Sequence, residues 1–123
     1  MKLDYDLVRR ILLDVETSEP GSPIFGFIYE DKSEAEILQH VELLIEASIL
    51  DGMVINGEMG MPARCIIRKL TWHGHQFLAN ARNDSVWKKV MGQIKEKSVS
   101  VGMDVLTALL KKAANDVFGL PTA

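Results

Sequence analysis

Ser33-Glu34-Ala35-Glu36-Ile37-Leu38-Gln39-His40-Val41-Glu42-Leu43-Leu44-Ile45-Glu46-Ala47-Ser48-Ile49-Leu50-Asp51-Gly52 encodes both ends of a helix. Its first four residues are a capping box. The Ser33 hydroxyl can accept the backbone N–H of Glu36, and the Glu36 carboxylate can reach back to the Ser33 N–H. Ile37, Leu38, Val41, Leu44 and Ile45, with Ser48, then fall on one face at helical spacing. Asp51-Gly52 supplies a stop, because glycine adopts the left-handed conformation beyond a helix end without strain. The spacing predicts a helix ending near Leu50.

Beyond it come two short segments joined by a loop. Met53-Val54-Ile55-Asn56-Gly57 and Arg64-Cys65-Ile66-Ile67-Arg68-Lys69-Leu70 read as two strands of a hairpin. The Gly57–Pro62 connection is too long for a two-residue turn, which predicts an open, mobile tip. Thr71 can cap a following helix to about Arg82, with Phe77, Leu78 and Ala81 inward and Gly74 permitting close backbone approach. Upstream, Asp4 can cap a helix whose Leu7, Val8, Ile11, Leu12 and Val15 form one stripe. Breakers at Glu19–Pro23 end it, and Ile24-Phe25-Gly26-Phe27-Ile28-Tyr29 reads as a short strand. Downstream, a helix over about 84–97 turns Val86, Trp87, Val90, Met91 and Ile94 inward and Lys88, Lys89 and Lys95 outward. A last helix over about 103–118 carries Met103, Leu106, Leu109, Leu110, Ala113 and Val117 on a broad stripe.

The 123 residues, 47% apolar and 25% charged, suit one domain. The expected fold is α+β and mostly α, with a core over 1–82 and two helices over 83–120. No apolar run approaches the roughly 20 residues of a membrane span, and the charged opening lacks a signal-peptide centre. A cytoplasmic protein is the expectation. Cys65 is the sole cysteine, which rules out an internal disulfide and a multi-cysteine zinc site. Residues 1–60 hold 13 acidic and 4 basic side chains, whereas residues 61–123 hold 4 acidic and 10 basic. Such asymmetry suits opposed charged faces.

The order helix, strand, helix, hairpin, helix is the skeleton of a winged-helix domain. Leu38–Leu50 resembles the third helix of small bacterial winged-helix regulators. Leu70-Thr71-Trp72-His73-Gly74-His75-Gln76-Phe77-Leu78 is similar to their leucine–threonine–x–x–glycine start to the helix after the wing. With Asp6-Leu7-Val8-Arg9-Arg10-Ile11-Leu12, Asn83-Asp84-Ser85-Val86-Trp87 and the closing amphipathic helix, nearly the whole chain resembles a set of short bacterial and phage or prophage proteins of unknown function. The resemblance implies a winged-helix-like fold and a phage association, but no activity.

The helix that would read DNA exposes Gln39, Glu42, Leu43 and Glu46, flanked by Glu36 and His40, and has no Lys or Arg. Glutamates between two rows of phosphates are repelled, so major-groove docking is disfavoured. The second helix of a DNA-binding winged helix also has no counterpart. Arg64, Arg68 and Lys69 on the second wing strand, with Lys88 and Lys89, are the candidate nucleic-acid contacts. Gln39, Glu42, Leu43 and Glu46 form one candidate protein interface. The stripe of Leu106, Leu109, Leu110, Ala113 and Val117 forms another, suited to a homodimer.

His73 and His75 point about 200° apart on a helix and cannot chelate together, and His75 is expected to pack against an aromatic or bond a carbonyl. Cys65 among isoleucines reads as a buried thiol without a base. No catalytic, cofactor-binding or metal-ligating set is expected. The favoured reading is a non-enzymatic module acting by protein–protein contact, with a DNA-binding regulator as the alternative.

Overall fold

The computed structural model describes residues 2–121. Helix α1, Tyr5–Thr17, starts where the Asp4 carboxylate accepts the Leu7 N–H at 3.0 Å. It buries the predicted stripe of Leu7, Val8, Ile11, Leu12 and Val15 against helix α2, Glu34–Glu46, and strand β2, Pro62–Leu70. The Ser33 hydroxyl accepts the Glu36 N–H at 3.1 Å, so the cap of α2 stands where its sequence placed it.

The end of α2 departs from expectation. The helix stops at Glu46, not near Leu50, and the left-handed residue is Ser48, with φ of 60°. Ile49 and Leu50 are both buried, and they reach the core only by leaving the helix early. Gly52 serves another purpose inside strand β1, Leu50–Asn56. A Cβ there would lie 2.5 Å from the Ile66 carbonyl oxygen, closer than atoms pack.

Strands β1 and β2 pair antiparallel as the predicted hairpin. Asp51 faces Lys69 but Gly52 faces Ile67, so Arg68 is an extra, bulged residue. The bulge shifts the alternation by one place, which lets Cys65, Ile67 and Leu70 all face the core. The tip is a short turn at Glu58–Gly60, where Met59 has φ of 58° and is 98% exposed.

Helix α3, Trp72–Ala81, is joined to the end of α2 by Thr71. The Thr71 backbone N–H donates to Ile49 O, and its hydroxyl donates to Ser48 O while accepting the Gly74 N–H at 2.9 Å. A Cβ on Gly74 would stand 2.2 Å from Ile49 O, so only glycine fits the predicted close approach.

Ile24–Tyr29 is not a strand. Ile24 exchanges both backbone hydrogen bonds with Ile67, each 2.8 Å, and the ladder then stops. Gly26 offers no side chain to a sheet face, while Tyr29 is drawn to α1. Its hydroxyl donates to the Asp14 carboxylate, and the Arg10 guanidinium sits 4.0 Å from its ring centroid. Contacts with another element therefore override a local strand preference.

The first compact unit ends at His75 and the second begins at Gln76. In the second, Asn83 caps helix α4, Asp84–Lys97, through the Val86 N–H at 3.0 Å, and helix α5 spans Met103–Val117. The two helices touch, with Lys89 3.7 Å from Asp116. The described residues thus form five helices and a two-stranded sheet, an α+β fold that is mostly α. The α2–hairpin–α3 succession is compatible with a winged-helix arrangement.

Candidate interaction surfaces

The segment between α1 and α2 is fastened to β2 at Ile24 and again over Tyr29–Lys32. Asp31 takes the Arg10 guanidinium at 2.8 Å, and Lys32 reaches the Asp4 carboxylate at 2.7 Å. Burial raises the Tyr29 phenol far above its ordinary range, and the neighbouring Asp14 carboxylate adds to the shift. Burial opposes ionisation of Asp4, yet the Lys32 ammonium and the Leu7 N–H outweigh it and hold the carboxyl below its usual value. The hydrogen bond from Arg10 lowers Asp31 in the same direction.

His40 completes this fastening, and here the sequence expectation fails. It does not flank an exposed face; it is 1% exposed. The Asp4 backbone N–H donates to its Nε2 at 2.9 Å, so the proton sits on Nδ1, which donates to Glu36 O at 2.8 Å. Both ring nitrogens are engaged, and the histidine is a strut between the start of α1 and the first turn of α2.

Upstream of these tethers, Phe25 is 67% exposed and Ile28 95%. With Ile37, Leu38, Arg64 and Cys65 they line an open, mainly apolar cleft of about 500 Å³. Large exposed apolar side chains on a held segment are more informative than single surface leucines.

The hairpin supplies a second surface. The register sets Arg64 opposite Ile55, Ile66 opposite Met53 and Lys69 opposite Asp51, all on the face away from Cys65 and Ile67. The structure therefore brings Arg64 and Lys69 to one face, with Arg68 at the bulge and 3.5 Å from Asp51. Lys88 and Lys89 are exposed on α4, in the second unit. Of the acidic helix face, Glu46 is exposed, whereas Gln39, Glu42 and Leu43 are half-buried.

The α5 stripe divides. Leu106, Leu110 and Ala113 are buried within the chain and cannot serve a partner, Leu109 is half-buried, and Val117 is exposed beside Phe118. An α4–α5 groove of about 420 Å³ runs past Ile94, Val105 and Leu109, edged by Lys89, Lys97 and Lys112.

Cys65 is buried, and burial pushes its thiol up, away from the thiolate a nucleophile needs. His73 and His75 are both exposed; His75 does not take the packed position expected for it, and His73 meets the Trp72 ring edge-on. Among the described residues no three His, Cys, Asp or Glu side chains converge as metal ligands. No described helix is long and apolar enough to cross a membrane.

A family model described as Hypothetical protein (DUF2513) matches residues 2–100. The chain belongs to this family. An uncharacterized protein of Haemophilus influenzae is 32% identical over 109 residues, covering 86% of this chain and 89% of the relative. No solved structure matches. The DUF2513 match takes in α1 to α4, both hairpin strands and the tethered segment, and it ends before α5 begins at Met103. The surfaces on the first unit thus lie within the family's own span.

Proposed function

We propose that this DUF2513 protein is a non-enzymatic, winged-helix-like module that works by protein–protein contact. The observation that carries this reading is the exposure of Phe25 and Ile28 beside the tethers at Tyr29, Asp31 and Lys32. Ordering a loop costs conformational entropy, and here the ordered loop keeps apolar side chains in water. A bound polypeptide would recover that area at roughly 25 cal/mol per Å². The test is capture from bacterial extract by the tagged chain, with and without nuclease. Partners that survive nuclease and are lost with Ile28→Asp support the reading; recovery of nucleic acid alone overturns it.

The alternative, a DNA-binding regulator, is favoured by Arg64, Arg68 and Lys69 on the hairpin. Reversing all three to glutamate abolishes binding under that reading, and absence of any gel shift at low salt removes its support, since phosphate neutralisation is strongest there.

The resemblance to short phage and prophage proteins supports a role in a prophage-bearing cell, in the cytoplasm. Transcript levels unchanged by prophage induction would count against it. Exposed Val117 and Phe118 support a homodimer through α5. Sedimentation of the parent and of Val117→Glu tests this, and a monomeric parent rejects it.

A further inference from the structure

We infer that the Phe25–Ile28 projection of one copy seats in the α4–α5 groove of a second copy, a contact between unlike surfaces of the same chain; the inference rests on the protein-contact reading above and names its partner.

Both surfaces keep apolar side chains in water. Phe25 and Ile28 are 67% and 95% exposed, on a segment held at Ile24 on one side and over Tyr29–Lys32 on the other. In the groove, Val99 is 51% and Val105 44% exposed, beside half-buried Leu109. A projection already held in place loses little freedom when it docks.

Charge decides which surfaces meet. Near the projection, Arg10 takes Asp31 and Asp4 takes Lys32. Exposed Glu30 and Glu34 are left without ion-pair partners among the described residues, with Arg64 the one unpaired cation at the same cleft. The groove is edged by Lys89, Lys97 and Lys112, of which only Lys89 has a carboxylate partner among the described residues, Asp116. Groove against groove would set ammonium against ammonium, and projection against projection would do the same for the carboxylates. Projection against groove joins opposite signs and covers apolar area on both sides. The whole chain has the same asymmetry, with 13 acidic and 4 basic side chains over residues 1–60 against 4 acidic and 10 basic over 61–123. The chain thus carries both a plug and a socket of opposite charge. Two apolar side chains cover far less than the roughly 1,200–2,000 Å² of a stable interface, so association is weak and rises with concentration.

The experiment is sedimentation of the full chain from about 10 μM to about 1 mM. The parent should associate over that range, and raising salt from about 0.05 M to about 0.5 M should weaken association by about fivefold. Ile28→Asp alters the projection and Val105→Asp the groove, both at exposed positions. Each should be monomeric while melting like the parent, and Lys97→Glu with Lys112→Glu, also exposed, is a second groove variant that spares the core. An equal mixture of the projection variant with either groove variant should form dimers again, because one copy keeps its groove and the other its projection. Val117→Glu should associate like the parent, since Val117 does not line the groove. A parent that stays monomeric, a mixture that stays monomeric, or association indifferent to salt overturns the inference. Association lost with Val117→Glu but kept with Ile28→Asp also overturns it, by placing the contact at the end of α5. In each case the protein-contact reading stands if extract partners are still captured and are lost with Ile28→Asp. If capture fails as well, both readings fall.

Discussion

Two segments border β2: Leu50–Asn56 holds two β-branched residues and no aromatic, whereas the 24–29 segment holds two isoleucines and three aromatics. Leu50–Asn56 pairs along its length, while the 24–29 segment pairs at one residue. The difference does not come from propensity. Gly52 lets β1 approach β2 at the bulge, where any side chain would strike the Ile66 carbonyl. Across the sheet, Gly26 contributes no packing and Tyr29 is held by α1. Strand formation here depends on what lies at each end of the segment, because a ladder forms only where the competing anchors agree with it.

The comparison is broken most severely at β1. Gly52→Val should displace the bulge and cost about 3 kcal/mol, read as a lower denaturation midpoint, because the obstruction is backbone and cannot rotate aside. An unchanged midpoint would show that the close approach is not needed. Next in size, His40→Leu should cost about 2 kcal/mol, since the Asp4 N–H and the Glu36 carbonyl both lose a buried partner. Exchange should then rise at the start of α1 and not in the hairpin.

Tyr29→Phe should cost about 1 kcal/mol by removing one hydrogen bond. It also tests a pH signature. The folded-state Tyr29 lies above its ordinary value of 10.0, so its contribution is complete below that pH and is lost as pH climbs past it. Asp4 and Asp31 have the opposite sign. Their folded values lie below 3.8, so their contributions hold above it and vanish as pH falls further. The parent should therefore weaken at both extremes, and Tyr29→Phe should flatten the alkaline fall alone. The smallest effect sharpens the comparison. Gly26→Val meets nothing within 4 Å and should add roughly 0.5 kcal/mol if the segment then extends its ladder. A raised denaturation midpoint would show it, and a lowered one would show that the segment does not extend its ladder.

What could be read from the sequence was what neighbours in the chain decide. Ser33 and Glu36 stand three apart, and Thr71 and Gly74 likewise, so both helix starts were legible. The two hairpin strands were legible as short segments with apolar runs on either side of a glycine-containing loop. Misreadings arose where the deciding partner is distant. Tyr29 left the sheet for Asp14 on α1, and His40 went inward to meet the backbone of Asp4. Gly52 was read as a helix stop because its actual constraint, the Ile66 carbonyl, belongs to the opposite strand. The open cleft is itself a product of the misread strand. Its residues were visible, but their failure to pair was not. On α5, helical spacing showed the stripe but not which rows the chain itself covers.

The joint at Thr71 has a mechanical consequence. Its backbone and hydroxyl bind the carbonyls of Ile49 and Ser48, so the whole hairpin leaves and re-enters the fold through one pinned gate. Closure entropy grows only slowly with loop length, and the gate holds however far the tip reaches. A cut at Met59, or a run of extra residues inserted there, changes the length of a tab and not the body to which it is sewn.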